Sequence, residues 1–326
     1  MNKGHCYLIV LIAMVLGSCQ KKELPVKPHD PGNVTTATVD MGQPYKYQVY
    51  YSLKNNTAVG QNVKTTWDVA MEPSAAGYRV VLNSSKSMFA LNTGKTAFAA
   101  VSIADTVGFS VSRKWDEASG NMDSTAIGDW RDTKMVYILD RGYDENGVSS
   151  GMQKMQLLSV TDTGYTLRFA AMDGTGDTTI EVKKDTAYNL AFVSFTTKGQ
   201  VTVEPPKATW DISFSQYTYI FYDMDPPIPY LVTGCLLNRN KTMAIMDTAR
   251  TFDQINYSTT TSYNMAADIS TIGYAWKTYG GTGYVVNTKY NYVIRSGEGV
   301  YYKLHFTGFY NSTGKQGHPK WEYQPL

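Results

Sequence analysis

Cysteine, histidine and charge are all scarce in this chain, and no convincing apolar run falls at helical spacing. Of three cysteines, Cys6 and Cys19 stand near the start, so the body keeps only Cys235 and forms no internal disulfide. Cys235 lies in the strand-like run Tyr230 to Leu237 with no base beside it and reads as core filler. Charged residues make up 18%, with 30 basic against 28 acidic, so no excess invites nucleic acid. No Gly-x-Ser-x-Gly, His-Glu-x-x-His, Cys-x-x-Cys or phosphate loop occurs, and the chain reads as a non-enzyme. Asp173-Gly174-Thr175-Gly176-Asp177 falls short of a calcium ligand set and reads as a turn. Acid pairs such as Asp116/Glu117 and Asp223/Asp225 are indistinguishable from surface charge at this stage.

What is present begins with the first 18 residues. Lys3 and His5 precede an unbroken apolar stretch from Tyr7 to Leu16, too short to span a bilayer as a mature helix. It ends in Leu16-Gly17-Ser18-Cys19, which resembles a bacterial lipobox, so residues 1–18 read as a signal and Cys19 as the lipidated first residue. Residues 19–42, with Lys21, Lys22, Pro25, Pro28 and Pro31, read as a tether to a membrane.

Beyond Pro44 the pattern is β. Tyr45 to Tyr51, Tyr165 to Phe169 and Tyr302 to Phe306 alternate, and turn residues such as Asn55-Asn56 and Gly280-Gly281 punctuate them. The spacing predicts an all-β fold, with short helices only near Thr251–Ile255 and Asp268–Ile272. An internal repeat organises it: Thr66-Trp67-Asp68-Val69 returns as Thr209-Trp210-Asp211-Ile212. An aromatic strand precedes each tryptophan (Tyr45 to Tyr51; Tyr188 to Phe195). A Lys-Thr pair (Lys95-Thr96; Lys241-Thr242) and an Asp-Thr pair (Asp105-Thr106; Asp247-Thr248) follow. Met135 to Leu139 then answers Tyr290 to Ile294, and Lys154 to Leu157 answers Tyr302 to Phe306. Two related antiparallel units, 43–187 and 188–326, follow from this order. The tryptophans read as scaffold; if exposed, they become candidates for stacking on a ligand.

Several of these strands together resemble the HmuY family: Trp67-Asp68-Val69 with Gly77 to Asn83, Trp210 to Phe214, Ile272 to Trp276, and Gly299 to Phe309. The resemblance covers most of 45–326. It implies a β-rich lipoprotein of the Bacteroidetes outer membrane, exposed at the cell surface, that binds haem and passes it to a TonB-dependent receptor. The short pattern Asp-Ser/Thr followed by Thr or an apolar residue, as at Asp105 to Val107 and Asp247 to Ala249, fits that compartment.

Haem ligation in known members uses two axial side chains, His or Met. Of four histidines only His305 and His318 lie in the folded part, which argues against a paired-His site. The haem-ligand candidates are therefore Met246, Met265, Met224 and Met243, since a thioether can ligate haem iron. The tyrosine-rich Gln216 to Tyr222 suits stacking on a sugar or a porphyrin, and equally a half-buried strand. The alternative is an adhesin or glycan-binding accessory lipoprotein with the same fold and no haem site.

Overall fold

The computed structural model describes residues 31–326; the signal-like segment and Cys19 lie outside the described residues. In chain order the strands are β1 (Thr35–Thr38), β2 (Tyr47–Ser52), β3 (Thr57–Val63), β4 (Val69–Met71), β5 (Val80–Leu82), β6 (Phe89–Asn92) and β7 (Val136–Asp140). There follow β8 (Met152–Val160), β9 (Gly164–Ala171), β10 (Thr178–Lys183), β11 (Ala191–Ser194), β12 (Gly199–Val201) and β13 (Ile212–Phe221). The last are β14 (Ile228–Leu237), β15 (Met243–Asp247), β16 (Lys277–Tyr279), β17 (Tyr284–Val286), β18 (Asn291–Arg295), β19 (Tyr301–Tyr310) and β20 (Gln316–Pro325). Every pairing is antiparallel. The α-helical pieces among the described residues are single turns at Phe109–Ser112 and Tyr257–Thr260. No helix among them is long and apolar enough to cross a membrane.

Two sandwiches result. In the first lobe a five-stranded sheet, β10-β9-β8-β7-β6, packs on a four-stranded sheet, β12-β11-β4-β5. Alternate residues turn inward, as the period of two requires, and Met71, Leu82, Tyr137, Leu139, Met155 and Phe169 fill the gap. In the second lobe β1-β20-β19-β18-β15 packs on β14-β13-β2-β3, around Val49, Phe214, Leu237, Tyr292, Phe306 and Trp321. Trp276 stacks on Phe306 there at 4.0 Å. Each such fully buried large side chain contributes about 1.5–3 kcal/mol of apolar burial. Gly234 has no room for a Cβ, which would stand 2.4 Å from the Gly273 carbonyl oxygen, so β14 can bridge to Gly273 through Cys235.

The repeat is visible as matched hydrogen bonds. Asn83 Nδ2 donates to the Lys64 and Trp67 carbonyls, both at 2.8 Å; Asn238 Nδ2 donates to those of Lys207 and Trp210 at 2.8 and 2.7 Å. Asp68 Oδ2 accepts from the Phe195 amide, and Asp211 Oδ2 from the Leu53 amide, each at 2.8 Å. These contacts cross between repeats. The β2–β3 hairpin pairs with β13 in register Tyr51 to Ile212, and the β11–β12 hairpin pairs with β4 in register Val193 to Val69. Each lobe is thus completed by the leading strands of the other repeat.

Several expectations change. The strands do not divide at 187/188: β1, β2 and β3 belong to the second lobe, while β11 and β12 belong to the first. Residues 35–41, expected within a tether, belong to the folded part: Ala37, Val39 and Met41 alternate into the second core and β1 pairs with β20. The Lys-Thr pairs are not equivalent, since Lys95 follows β6 whereas Lys241 precedes β15. Thr251–Ile255 does hold a short 3-10 turn, Phe252–Gln254, with Thr251 and Gln254 forming a capping box. Residues 268–272 form turns and bends instead of a helix.

Candidate functional site

The aromatic strand Gln216 to Tyr222 runs to the tip of the β13–β14 hairpin. Pro226 and Pro227 have no amide hydrogens to continue the ladder, so the chain turns at Tyr222–Pro227. The paired ends carry an aromatic cluster: Tyr219 lies 5.2 Å from Phe221 and 5.0 Å from Tyr274, and Phe221 lies 6.3 Å from Tyr230. Tyr230 is 61% exposed, Tyr222 56% and Met224 49%, with Ile228 also open. The neighbouring β16–β17 hairpin exposes Tyr279 and Val285. Contiguous apolar surface of this kind marks an interaction site more often than scattered single residues do.

One side of the tip is fastened to the other repeat. Tyr222 Oη accepts from Trp115 Nε1 at 3.2 Å and donates to Glu117 Oε1. Loss of water around the phenol, and then the Glu117 carboxylate, push its pKa upward, so it remains a donor at neutral pH. Met224 thereby sits, half exposed, in a turn flanked along the chain by Phe221 and Tyr222.

The other candidates lie elsewhere. Met246 is 39% exposed on β15, opposite Tyr292. Alternation along β15 places it on the face opposite Met243 and Ile245. Met243 is half-buried, with Arg295 Nη1 at 4.0 Å from its sulfur. Met265 packs with Ile245 against Ile255, Val293 and Leu326. Met246 and Met265 therefore do not face one another. His305 Nε2 is 3.2 Å from Glu322 with its ring 4.3 Å from Phe252, and His318 Nε2 is 3.3 Å from Asn311. Both histidines lie on β19 and β20, in the other sheet of the second lobe, and both are already engaged. Cys235 is fully buried, and desolvation pushes its thiol well up from the ordinary range, as a core residue requires. Among the described residues no group of three His, Cys, Asp or Glu is placed to hold a metal ion.

Two further features come from the tertiary arrangement. Lys277 is buried with its Nζ donating to the Thr233 carbonyl, within 4.5 to 5.2 Å of the Trp276, Phe309 and Tyr284 ring centres. With no carboxylate to balance desolvation, its pKa is pushed down to about 7. In sequence it is an ordinary strand lysine. The second is a concavity between the lobes into which Trp67 and Trp210 both project, each only 7% exposed. The repeat pointed to these tryptophans as scaffold, and their burial agrees.

A two-lobed antiparallel β protein with an aromatic, thioether-bearing hairpin tip is the class that fold and site define. The family model described as HmuY protein matches residues 44–323, and the chain belongs to the HmuY family. No curated protein matches the chain. Among solved structures it is similar to apo PinO from Porphyromonas gingivitis, at 9% identity over 90% of this chain and 98% of that one, with a TM-score of 0.34. It is also similar to the apo HmuY analog of Tannerella forsythia, at 10% identity over 91% and 99%, with a TM-score of 0.27.

Proposed function

We propose that this protein is a lipid-anchored, non-enzymatic haem-binding protein of the outer-membrane surface, held through Cys19, that yields haem to a TonB-dependent transporter. Membership of the HmuY family supports the class. The observation that carries the site is Met224, the one of the four candidate methionines that is exposed among the rings of the hairpin tip. Haem, when bound, supplies an iron centre to which a thioether is a fitting axial donor. The chain's own part is to present the Met224 sulfur, to offer the flat faces of Tyr222 and Tyr230, and to fix the loop through Trp115 and Glu117.

Titrating the purified protein with haem, in both the ferric and ferrous states, tests this. A Soret shift saturating at one equivalent is expected, weakened at least tenfold in Met224→Ala and unchanged in Met265→Ala, with Met246→Ala as a second comparison. A shift that survives Met224→Ala but is lost in Met246→Ala moves the site to the β15 edge. No shift in either redox state sinks the haem reading. The exposed Tyr230 and Tyr279 rings support the second reading, a glycan-binding accessory lipoprotein. Retention on immobilised glycans by a protein that leaves the Soret band unmoved would establish it.

A further inference from the structure

A cavity of about 130 Å³ lies between the two lobes. That is close to the volume that holds a benzene-sized molecule in a protein interior. The repeat builds its walls twice: Trp67 packs edge-on to Phe192 at 4.9 Å, and Trp210 edge-on to Tyr50 at 5.0 Å. Phe192 and Tyr50 occupy equivalent places on β11 and β2, so four rings in two matched pairs line one space.

The polar atoms are less symmetric. Trp67 Nε1 donates to Gln48 Oε1 at 3.2 Å. Trp210 Nε1 is shut off from water and has no acceptor, and Tyr217 Oη, also on the cavity wall, is likewise without a partner. Three carboxylates line the same space, Asp116, Glu117 and Glu204, and Glu117 accepts from the Tyr222 hydroxyl. Asp116 accepts from the Leu82 and Ala126 amides, and Glu204 from Asn189 and Leu190. Their partners are neutral. Arg239 is the one guanidinium in the wall; its Nη1 donates to the Gly120 carbonyl, and it forms no ion pair with any of the three acids. Three carboxylates therefore face one guanidinium around four aromatic rings.

We propose that the inter-lobe cavity binds a small organic cation of the class and size of choline. The onium group is held by the rings and by the excess of carboxylates over the single guanidinium. Aromatic faces attract onium groups through the ring quadrupole, most strongly where water is excluded. The inference does not rest on haem binding, because Met224, Tyr222 and Tyr230 are absent from the cavity wall and only Glu117 belongs to both places.

Choline chloride is titrated into the purified full chain, with sodium chloride at matched ionic strength as the blank, reading tryptophan fluorescence and calorimetric heat. A saturable single site with Kd of about 1 mM or tighter is expected for choline alone. Phe192→Leu and Glu204→Gln should each weaken it at least tenfold, with thermal melts showing that the variants fold. Should one fail to fold, Asp116→Asn takes its place with the same expected loss. Absence of a saturable choline signal in the wild type overturns the proposal. So does wild-type affinity in folded variants.

Discussion

Asp68 and Asp211 occupy the same place in the two repeats, and the lobes treat them differently. Asp68 is sealed in the first lobe with two cations, Lys86 Nζ at 2.6 Å and Arg141 Nε at 3.0 Å. Asp211 has the matching amide bond from Leu53 but no ion pair, and burial pushes its pKa upward. Lys86 is pushed downward by the same loss of water. One template has thus been kept as a backbone clamp in both lobes and elaborated into a buried charge cluster in only one. What the repeat conserves is the carboxylate's grip on the incoming hairpin, from Phe195 in one case and Leu53 in the other. The cations are an addition.

The largest expected effect tests that distinction. Asp68→Ala strands Lys86 and Arg141 as well as the Phe195 amide, and should cost about 3–5 kcal/mol. Asp211→Ala strands one amide and should cost about 1–3 kcal/mol. Equilibrium denaturation measures both. Equal losses would mean that the cations contribute nothing beyond the shared clamp.

A second matched pair sharpens the comparison. Lys154 and Lys303 take equivalent positions on β8 and β19, opposite Ile138 and Val293. Each reaches a loop crossing its sheet: Lys154 Nζ donates to the Val101 carbonyl beneath Phe98, and Lys303 Nζ to those of Phe252 and Ile255 beneath Phe252. Lys303→Met loses two carbonyl bonds and should cost about 2 kcal/mol, against about 1 kcal/mol for Lys154→Met. Thermal unfolding of the two variants under one buffer decides the order. The reverse order would show that the loops, not the lysines, set local stability.

Asp116 belongs to the seam between lobes and sets the smallest effect. Desolvation, opposed by its two amide bonds, pushes it up to about 6 even though the residue as a whole is only half-buried. A carboxyl whose folded pKa is raised binds more protons folded than unfolded, so its contribution falls as pH rises from about 4 to about 6. Relative to Asp116→Asn, the wild type should therefore lose about 1–2 kcal/mol between pH 4 and pH 7. A difference that stays flat across that window would remove the strain from this carboxylate.

The sequence made the β class and the repeat legible because both rest on local pattern: alternation, turn residues and Trp-Asp at matched places. Strand exchange was invisible, since β2 pairs with β13 across about 160 residues and nothing in Tyr47 to Ser52 names its partner. The same holds for the early start of the folded part. Ala37, Val39 and Met41 alternate, but Pro25 to Pro31 dominate the composition around them. Among the methionines, residue type gave four equal candidates; only exposure and strand face set Met224 apart from Met265. Lys277 shows the converse, an ordinary polar letter whose aromatic surroundings come from Phe309 and Tyr284 far along the chain.

The pairing of β1 with β20, Thr35 opposite Tyr323, also governs the order in which the molecule is able to assemble. The first lobe is one continuous stretch, β4 to β12, and its contacts close as soon as that stretch is available. The second lobe joins strands from the two extremes of the chain, so its closure waits until the final residues have been synthesised. Contacts of such sequence separation form slowly, because the loop they close is long. Strand β1 and the β2–β3 hairpin thus stay without their partners until β20 and β13 have been made, and the second lobe locks after the first.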